Sequence, residues 1–324
     1  MSKIAHTISR RTATAALLAL AATGARPPGA APATLRIGYQ KSSTLITVLK
    51  IRGTLEQQLA PLNVKISWHE FANGLPLLES LNVGNVDFSA DVADTVPVFA
   101  QAAGAELTYV AQEAPSPSAQ AIVVKADSPL KKVADLKGKK VAFAKGAGVH
   151  YLLIAALAQA GLSLKDIEPA YLAPADGRAA FEKGAVDAWV IWDPFLAAVQ
   201  AQSPVRVLAD GRDLASYQRY YLASRAFAKA RPEVLDRVYT ELKKAGQWVK
   251  ASPKDAAALL ATAWGLDAAT IEQANSRRSY EVRPVLQAAL AEQQKIADVF
   301  LAEKLLPKKV NAQDVVLFKP GAAA

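Results

Sequence analysis

The chain has 324 residues, 52% of them apolar and 21% charged, with no cysteine and a formal net charge of +9. That apolar share excludes a disordered chain, and the length allows two lobes with sizeable cores. The absence of cysteine excludes disulfides, thiol nucleophiles, cysteine-ligated metals and a lipoprotein anchor.

The first element in chain order is a leader. Lys3, Arg10 and Arg11 precede the apolar run 13–22, and Ala31-Pro32-Ala33 has the small-x-small pattern of a signal-peptidase site. Residues 1–33 therefore read as an export signal, too short an apolar run to span a bilayer, and Arg10-Arg11 leaves the twin-arginine route open. Removing this segment takes away Lys3, Arg10, Arg11 and Arg26 and leaves a mild basic excess. Scattered lysines of that kind are not a nucleic-acid footprint. An exported chain without a lipid anchor is expected in the periplasm.

Next comes a strand at Leu35–Tyr39, a polar loop through Gln40 and a helix from Thr44 to about Leu59. A strand at Val64–Trp68, a helix from Gly74, a strand at Val86–Phe88, a helix from Val96 to Ala103 and a strand at Leu107–Val110 complete a first pass. A second pass starts at Val141–Ala144 and runs through a helix from Val149, a strand near Ile167–Leu172, a helix from Pro174 to Glu182, a strand at Ala188–Ile191, a helix from Pro194 and a strand at Val205–Leu208. Strands alternating with helices predict parallel α/β sheets. Val83-Gly84-Asn85-Val86-Asp87 and Lys183-Gly184-Ala185-Val186-Asp187 mark the same step of each pass, where a helix stops at glycine and drops into a strand.

Two crossings join the passes: Glu113–Ser118, leading to a strand at Ala121–Val124, and the stretch after Asp210-Gly211, returning through Tyr220–Ser224. They predict a hinge between like lobes, with residues 34–118 as the first part of lobe I, 119–215 as lobe II and 216–324 as the mainly helical second part of lobe I. A long helix is expected from Pro284 to about Leu305, and the tail from Lys319 carries no structural signal.

In open α/β sheets ligands sit beyond the carboxyl ends of strands, where loops enter helices. Four places qualify: Tyr39 to Thr44 with Gln40, Ala90 to Thr95 with Asp94 and Thr95, Lys145 to His150 with Gly146, Gly148, Val149 and His150, and Trp192-Asp193-Pro194. Facing lobes would bring four helix starts to one cleft, and their free N–H groups favour an anion there. Plainer roles stand beside these: Asp94, Thr95 and Asp193 are good helix caps, Ser42 and Ser43 suit a solvated loop, Trp192 suits a core, and His150 suits a first helical turn. Catalysis has no support, since beyond the leader only His69 and His150 remain and no metal, Walker or nucleophile-elbow motif occurs. No enzyme, metal or cofactor is expected.

The mature chain resembles the periplasmic aliphatic sulfonate-binding proteins of sulfonate ABC importers. Leu35 to Lys41, Leu78 to Gly84, Phe99 to Ala105, Val133 to Lys139 and Val186 to Pro194 carry the likeness; Tyr39-Gln40-Lys41 and Trp192-Asp193-Pro194 favour the sulfonate branch over relatives for nitrate, taurine or thiamine precursors. The resemblance implies a two-lobed periplasmic binding protein of type II, each lobe a mostly parallel sheet flanked by helices, with a helical C-terminal extension. It also implies a monomer that closes on an alkanesulfonate and hands it to an inner-membrane ABC permease, without nucleic acid as a partner. The family often has hydroxyl residues where this chain has Gly146-Ala147-Gly148, which leaves backbone donation at that loop. Rival readings are another small anion (taurine, nitrate or an alkyl phosphonate), a thiamine-pyrimidine-type enzyme on the same fold, and a regulator's effector lobes; the export signal and the missing cysteine stand against the last two.

Overall fold

The computed structural model describes residues 33–322. The expected leader lies outside the described residues except for Ala33, which begins the first strand. The first pass comprises β1 (Ala33–Gln40), α1 (Thr44–Arg52), α2 (Thr54–Leu59), β2 (Val64–Phe71), α3 (Gly74–Asn82), β3 (Phe88–Ala93), α4 (Thr95–Ala102) and β4 (Leu107–Glu113). The second comprises β5 (Gln120–Lys125), β6 (Lys140–Phe143), α5 (Gly148–Gln159), β7 (Glu168–Tyr171), α6 (Pro174–Glu182), β8 (Ala188–Trp192), α7 (Phe195–Gln202) and β9 (Val205–Asp210). The chain then returns through β10 (Arg219–Ser224), α8 (Arg225–Ala230), α9 (Pro232–Ala251), α10 (Pro253–Trp264), α11 (Ala268–Ser276), β11 (Val282–Arg283), α12 (Leu290–Ala302) and β12 (Val316–Leu317).

One sheet has the order β11-β4-β10-β3-β1-β2, with β12 against β4; the other has β7-β6-β8-β5-β9. Each pass is a right run of parallel pairs, β2-β1-β3 and β7-β6-β8, but the strands that enter after a crossing run the other way. β5 is antiparallel to β8 and β9, and β10 is antiparallel to β3 and β4. The sheets are mostly parallel, as expected; the exceptions are the short β11 and the strands β5 and β10, which arrive from the crossings at the cleft end of their sheets and have to run back from it. The crossings lie side by side, tied by Ser116 N–H donating to Ser216 O at 3.1 Å and Gly211 N–H donating to Pro117 O at 3.1 Å. A Cβ on Gly211 would stand 2.5 Å from Pro117 O and 2.7 Å from Ala215 O, so the crossings meet closely only because that residue is glycine.

Burial follows the sheets. β3, β4 and β8 are buried along their whole length, as strands covered on both faces must be. One core packs β1, α1, α9 and α10 around Leu35, Ile37, Leu45 and Val238. A larger one runs from Leu77 and Val92 in lobe I to Trp189, Trp192 and Tyr217, and a smaller one joins Val98 of α4, Ile154 of α5 and Phe300 of α12. Trp264 of α10 is buried in the first of these cores. Three local expectations change. The helix from Thr44 is broken by Gly53 at φ 62°, a left-handed turn that glycine adopts freely. The last helix starts at Leu290, not Pro284, because Val282 and Arg283 pair with β4 first. The segment before the tail adds Val316 and Leu317 to β4 as a short parallel strand.

Candidate functional site

The carboxyl ends of β1, β3, β6 and β8 bring the four expected loops to the boundary between the sheets, but their helix starts are not equivalent. Asp94 places one carboxylate oxygen 3.1 Å from Thr95 N and the other 2.9 Å from Gln218 N, so the start of α4 is filled by the chain's own carboxylate. Asp193 accepts from Ala197 N at 3.0 Å and does the same for α7. α1 and α5 have no side-chain cap of this kind. The N–H groups of Gly148 and Val149, at the first two positions of α5, have no intrahelical acceptor. Of the four helix starts picked out from the sequence, α1 and α5 thus carry no carboxylate of the chain itself.

Both capping carboxylates sit where ionisation is costly. Burial pushes Asp94 up to about 7, against the donation of the Gln218 and Thr95 amides, with Glu292 adding to the rise. Burial also pushes Asp193 up to about 7 against the pull of Arg277, whose Nη1 lies 3.0 Å and 3.2 Å from its two oxygens.

Behind the α1 loop lies a buried charge network that sequence reading did not find. Arg219 Nε donates to Asp91 Oδ2 at 2.6 Å and its Nη1 to the Tyr217 hydroxyl at 2.8 Å. Arg278 Nη2 bridges Asp91 Oδ2 at 3.0 Å and Glu113 Oε2 at 2.6 Å, while its Nη1 donates to Ser42 O at 3.2 Å. Burial pulls both guanidiniums down, and the carboxylates (Asp91 first for Arg219, Glu113 first for Arg278) hold both above the ordinary arginine value. Two acids against two bases make the cluster neutral. These partners are far apart along the chain, and no spacing rule connects them.

Among the buried side-chain atoms without a partner are Ser42 Oγ, both polar atoms of the Gln120 amide, Ser216 Oγ, Asp91 Oδ1 and His150 Nε2. Gln120 pairs with Trp192 across β5 and β8, which puts both side chains at the same level of the sheet beside the hinge. Such orphaned groups are rare in folded proteins and mark places where polar partners belong. The signal for Gln120 was weak, since a glutamine opening a strand looks like any solvated strand end.

The remaining expected residues take definite positions. Gln40 is buried, with its amide donating to Asp91 O at 3.0 Å and its backbone N–H to Ser43 Oγ at 3.1 Å, so it fixes the β1–α1 loop. The Thr95 hydroxyl donates across the lobes to Gly146 O at 2.7 Å. Gly146 N–H donates to His150 Nδ1 at 3.2 Å, which leaves the histidine proton on Nε2. The ring of His150 is packed among Phe143, Tyr171 and Phe300, with centroids 4.8, 6.0 and 5.1 Å away. Burial, with Lys145 nearby, lowers its pKa to about 3, so it is neutral. His150 therefore sits in the seam between α5 and α12. Trp192 is 4% exposed and meets Phe195 edge-on at 5.8 Å. Among the described residues there is no group of histidine and acidic side chains able to hold a metal ion.

A family model described as NMT1/THI5 like matches residues 61–256. A relative in Escherichia coli (strain K12), named as an aliphatic sulfonates-binding protein, is 46% identical over 281 residues, 86% of this chain and 87% of its own length. This chain belongs to the aliphatic sulfonate-binding protein family. Two solved structures of that family superpose on it. The periplasmic aliphatic sulphonate binding protein SsuA from Escherichia coli gives a TM-score of 0.80 at 45% identity, covering 88% of this chain and 97% of its own. The alkanesulfonate-binding protein SsuA from Xanthomonas axonopodis pv. citri bound to MOPS gives 0.82 at 42% identity, covering 87% and 96%. The two-sheet architecture of the family is the one built here from β1 to β12. No helix among the described residues is long and apolar enough to cross a membrane.

Proposed function

We propose that this member of the family captures alkanesulfonates in the cleft between its sheets, in the periplasm, and delivers them to an inner-membrane ABC permease. The observation that carries the reading is the contrast among helix starts: α4 and α7 hold Asp94 and Asp193, while α1 and α5 present free amides beside the orphaned Ser42 hydroxyl and Gln120 amide. A sulfonate stays ionised at any ordinary pH and offers three oxygens to fixed donors, so a neutral site of amides and hydroxyls suits it without a titrating partner. The donors we assign are the N–H groups of Gly148 and Val149, Ser42 and Gln120. Trp192 gives the organic tail an aromatic surface, Gln40 and Thr95 hold the loops in place, and Asp94 and His150 build the frame. The protein acts as a binding protein without chemistry of its own, and we expect a monomer.

The test is native mass spectrometry on protein purified without sulfonate buffers, after incubation with a pool of methanesulfonate, longer alkanesulfonates, taurine, nitrate, sulfate and an alkyl phosphonate. An adduct of alkanesulfonate mass is expected. Retention of nitrate or the phosphonate in its place would overturn the substrate assignment.

A further inference from the structure

The residues directly after α11, Arg277-Arg278-Ser279-Tyr280, each bond to a different part of the molecule. Arg277 crosses to lobe II, where it pairs with both oxygens of Asp193 and donates to Gln200 Oε1 on α7 at 2.5 Å. Arg278 turns into lobe I and holds Ser42 O, at the start of α1, together with Asp91 and Glu113. Ser279 is fastened to the first hinge crossing, its N–H donating to Ser116 Oγ at 3.0 Å and its hydroxyl to Ala114 O at 2.8 Å. The Tyr280 hydroxyl donates to Asn275 Oδ1 at 2.6 Å and lies 2.9 Å from Thr44 Oγ1.

The backbone of this segment is also fixed. Tyr280 has φ 51°, a left-handed conformation costly for a side chain of that size. Its carbonyl lies 2.2 Å from where a Cβ on Gly246 would be, so the strap is seated directly on α9 at a glycine. One rigid element therefore touches the opposite lobe, the proposed anion loop and the hinge.

The structure assigns to Arg277–Tyr280 a coupling role: Arg277 latches lobe II in the closed form while Arg278, Ser279 and Tyr280 hold the α1 start and the hinge in register with it. The inference rests on the clamp reading proposed above and names the residues that regulate its closure. The Arg277–Asp193 pair is nearly dry, with side chains 18% and 2% exposed, and its partners come from different lobes. Opening breaks this pair and rehydrates it, whereas the contacts of Arg278, Ser279 and Tyr280 lie within lobe I and its crossing and survive. Arg277 thus biases the open–closed equilibrium without touching the ligand, as a positioning residue does.

The chain has no cysteine, so spin labels placed by Lys65→Cys in lobe I and Asp127→Cys in lobe II report the inter-lobe distance without background. Pulsed electron resonance with and without methanesulfonate is paired with stopped-flow release of the same ligand. Arg277→Met is expected to lower the closed population and to speed release roughly tenfold, a typical allosteric coupling. Arg277→Lys should recover part of the effect, and adding Asp193→Asn to Arg277→Met should add little. A purely structural role would instead lower the ligand-free melting midpoint, which should stay near wild type. Distances and release rates indifferent to Arg277→Met, or losses at 193 and 277 that simply add, overturn the latch. Failure of the wild type to bind any alkanesulfonate overturns the proposed function instead; the ligand-free distances still decide the latch.

Discussion

A Cβ on Gly148 would stand 2.7 Å from Cε2 of Tyr217 and 3.1 Å from the Cβ of Ala93. The start of α5 in lobe II is therefore pressed against an aromatic ring carried by the second crossing. Tyr217 has little room to yield: it is 2% exposed, has φ 51°, and its hydroxyl is held by Arg219. Tyr217 fills the space that a side chain at position 148 would take, so glycine is the residue that fits there.

Gly148→Ala is accordingly expected to prop the lobes apart and weaken methanesulfonate binding about tenfold or more, a loss of order 1–3 kcal/mol from overpacking. Ligand-free stability should change little if opening relieves the clash. Calorimetric titration checks the affinity, and Tyr217→Ala in the same chain should restore part of it. An affinity equal to wild type would show that the two residues do not meet when ligand is bound.

His150 and the ligand should add no slope to affinity between pH 5 and 8; Asp193, pushed up to about 7 by burial within its pair with Arg277, is a group that titrates in that window. His150, the histidine of the α5 loop, is held neutral with its pKa lowered to about 3 by burial and Lys145, far below that window. A sulfonate does not titrate there either. Titrations in sulfonate-free buffers should vary by no more than about twofold on account of these groups, and His150→Gln should not introduce a slope. A steep loss of affinity above pH 6.5 that vanishes in His150→Gln would assign the headgroup to a charged imidazole.

The order of strands and helices, the two crossings and the glycine stops were legible in the sequence because each rests on short-range signals: apolar runs, Gly84 and Gly184, and the Val-Asp steps after them. The direction of β5 and β10 was not, because a strand arriving through a crossing has the same local pattern whichever way it runs. The site divides along the same line. The start of α5 at Gly148 and Val149 was legible because a strand–glycine–helix unit is contiguous. Asp94 was recognised as a cap and a cleft residue together, and only the position of Gln218 N–H decides that both its oxygens are already used. Arg219, Arg278, Asp91 and Glu113 were missed because their pairing is created by the fold across separations of up to 187 residues.

Asp94 should be visible in the pH dependence of stability. Its folded pKa of about 7 lies above the ordinary carboxyl value of 3.8. Above that ordinary value the folded state holds the proton that the unfolded chain has released. The contribution is thus fully present below about pH 4 and is lost as pH rises through about 7, amounting to about 2 to 3 kcal/mol between pH 5 and 8. Asp94→Asn cannot titrate, and it turns an amide N–H₂ toward one of two backbone donors, so it should be less stable at pH 5 by about 1–3 kcal/mol and show a shallower pH slope. Urea unfolding of both proteins at pH 5 and 8 gives the comparison; parallel slopes would remove Asp94 from the titration.

Arg277 and Arg278 are neighbours in sequence, and their substitution should have opposite signatures. Arg278 is 3% exposed and bridges two buried carboxylates, of which Asp91 is fully buried and Glu113 nearly so. Arg278→Met leaves four charges reduced to three in a dry site, two acids against Arg219 alone, and it frees Ser42 O. Removing one partner of a buried ionic cluster costs about 3–5 kcal/mol, because the remaining charge keeps its desolvation penalty without its compensation. The Tyr221 hydroxyl, which donates to Glu113 Oε1 at 2.7 Å, can ease this only slightly. The variant should therefore unfold at markedly lower urea with or without sulfonate. Arg277→Met should leave the ligand-free midpoint near wild type and change the liganded one. Equal ligand-free losses for the two variants would mean that Arg277 belongs to the static frame and that the division of labour between the neighbouring arginines is wrong.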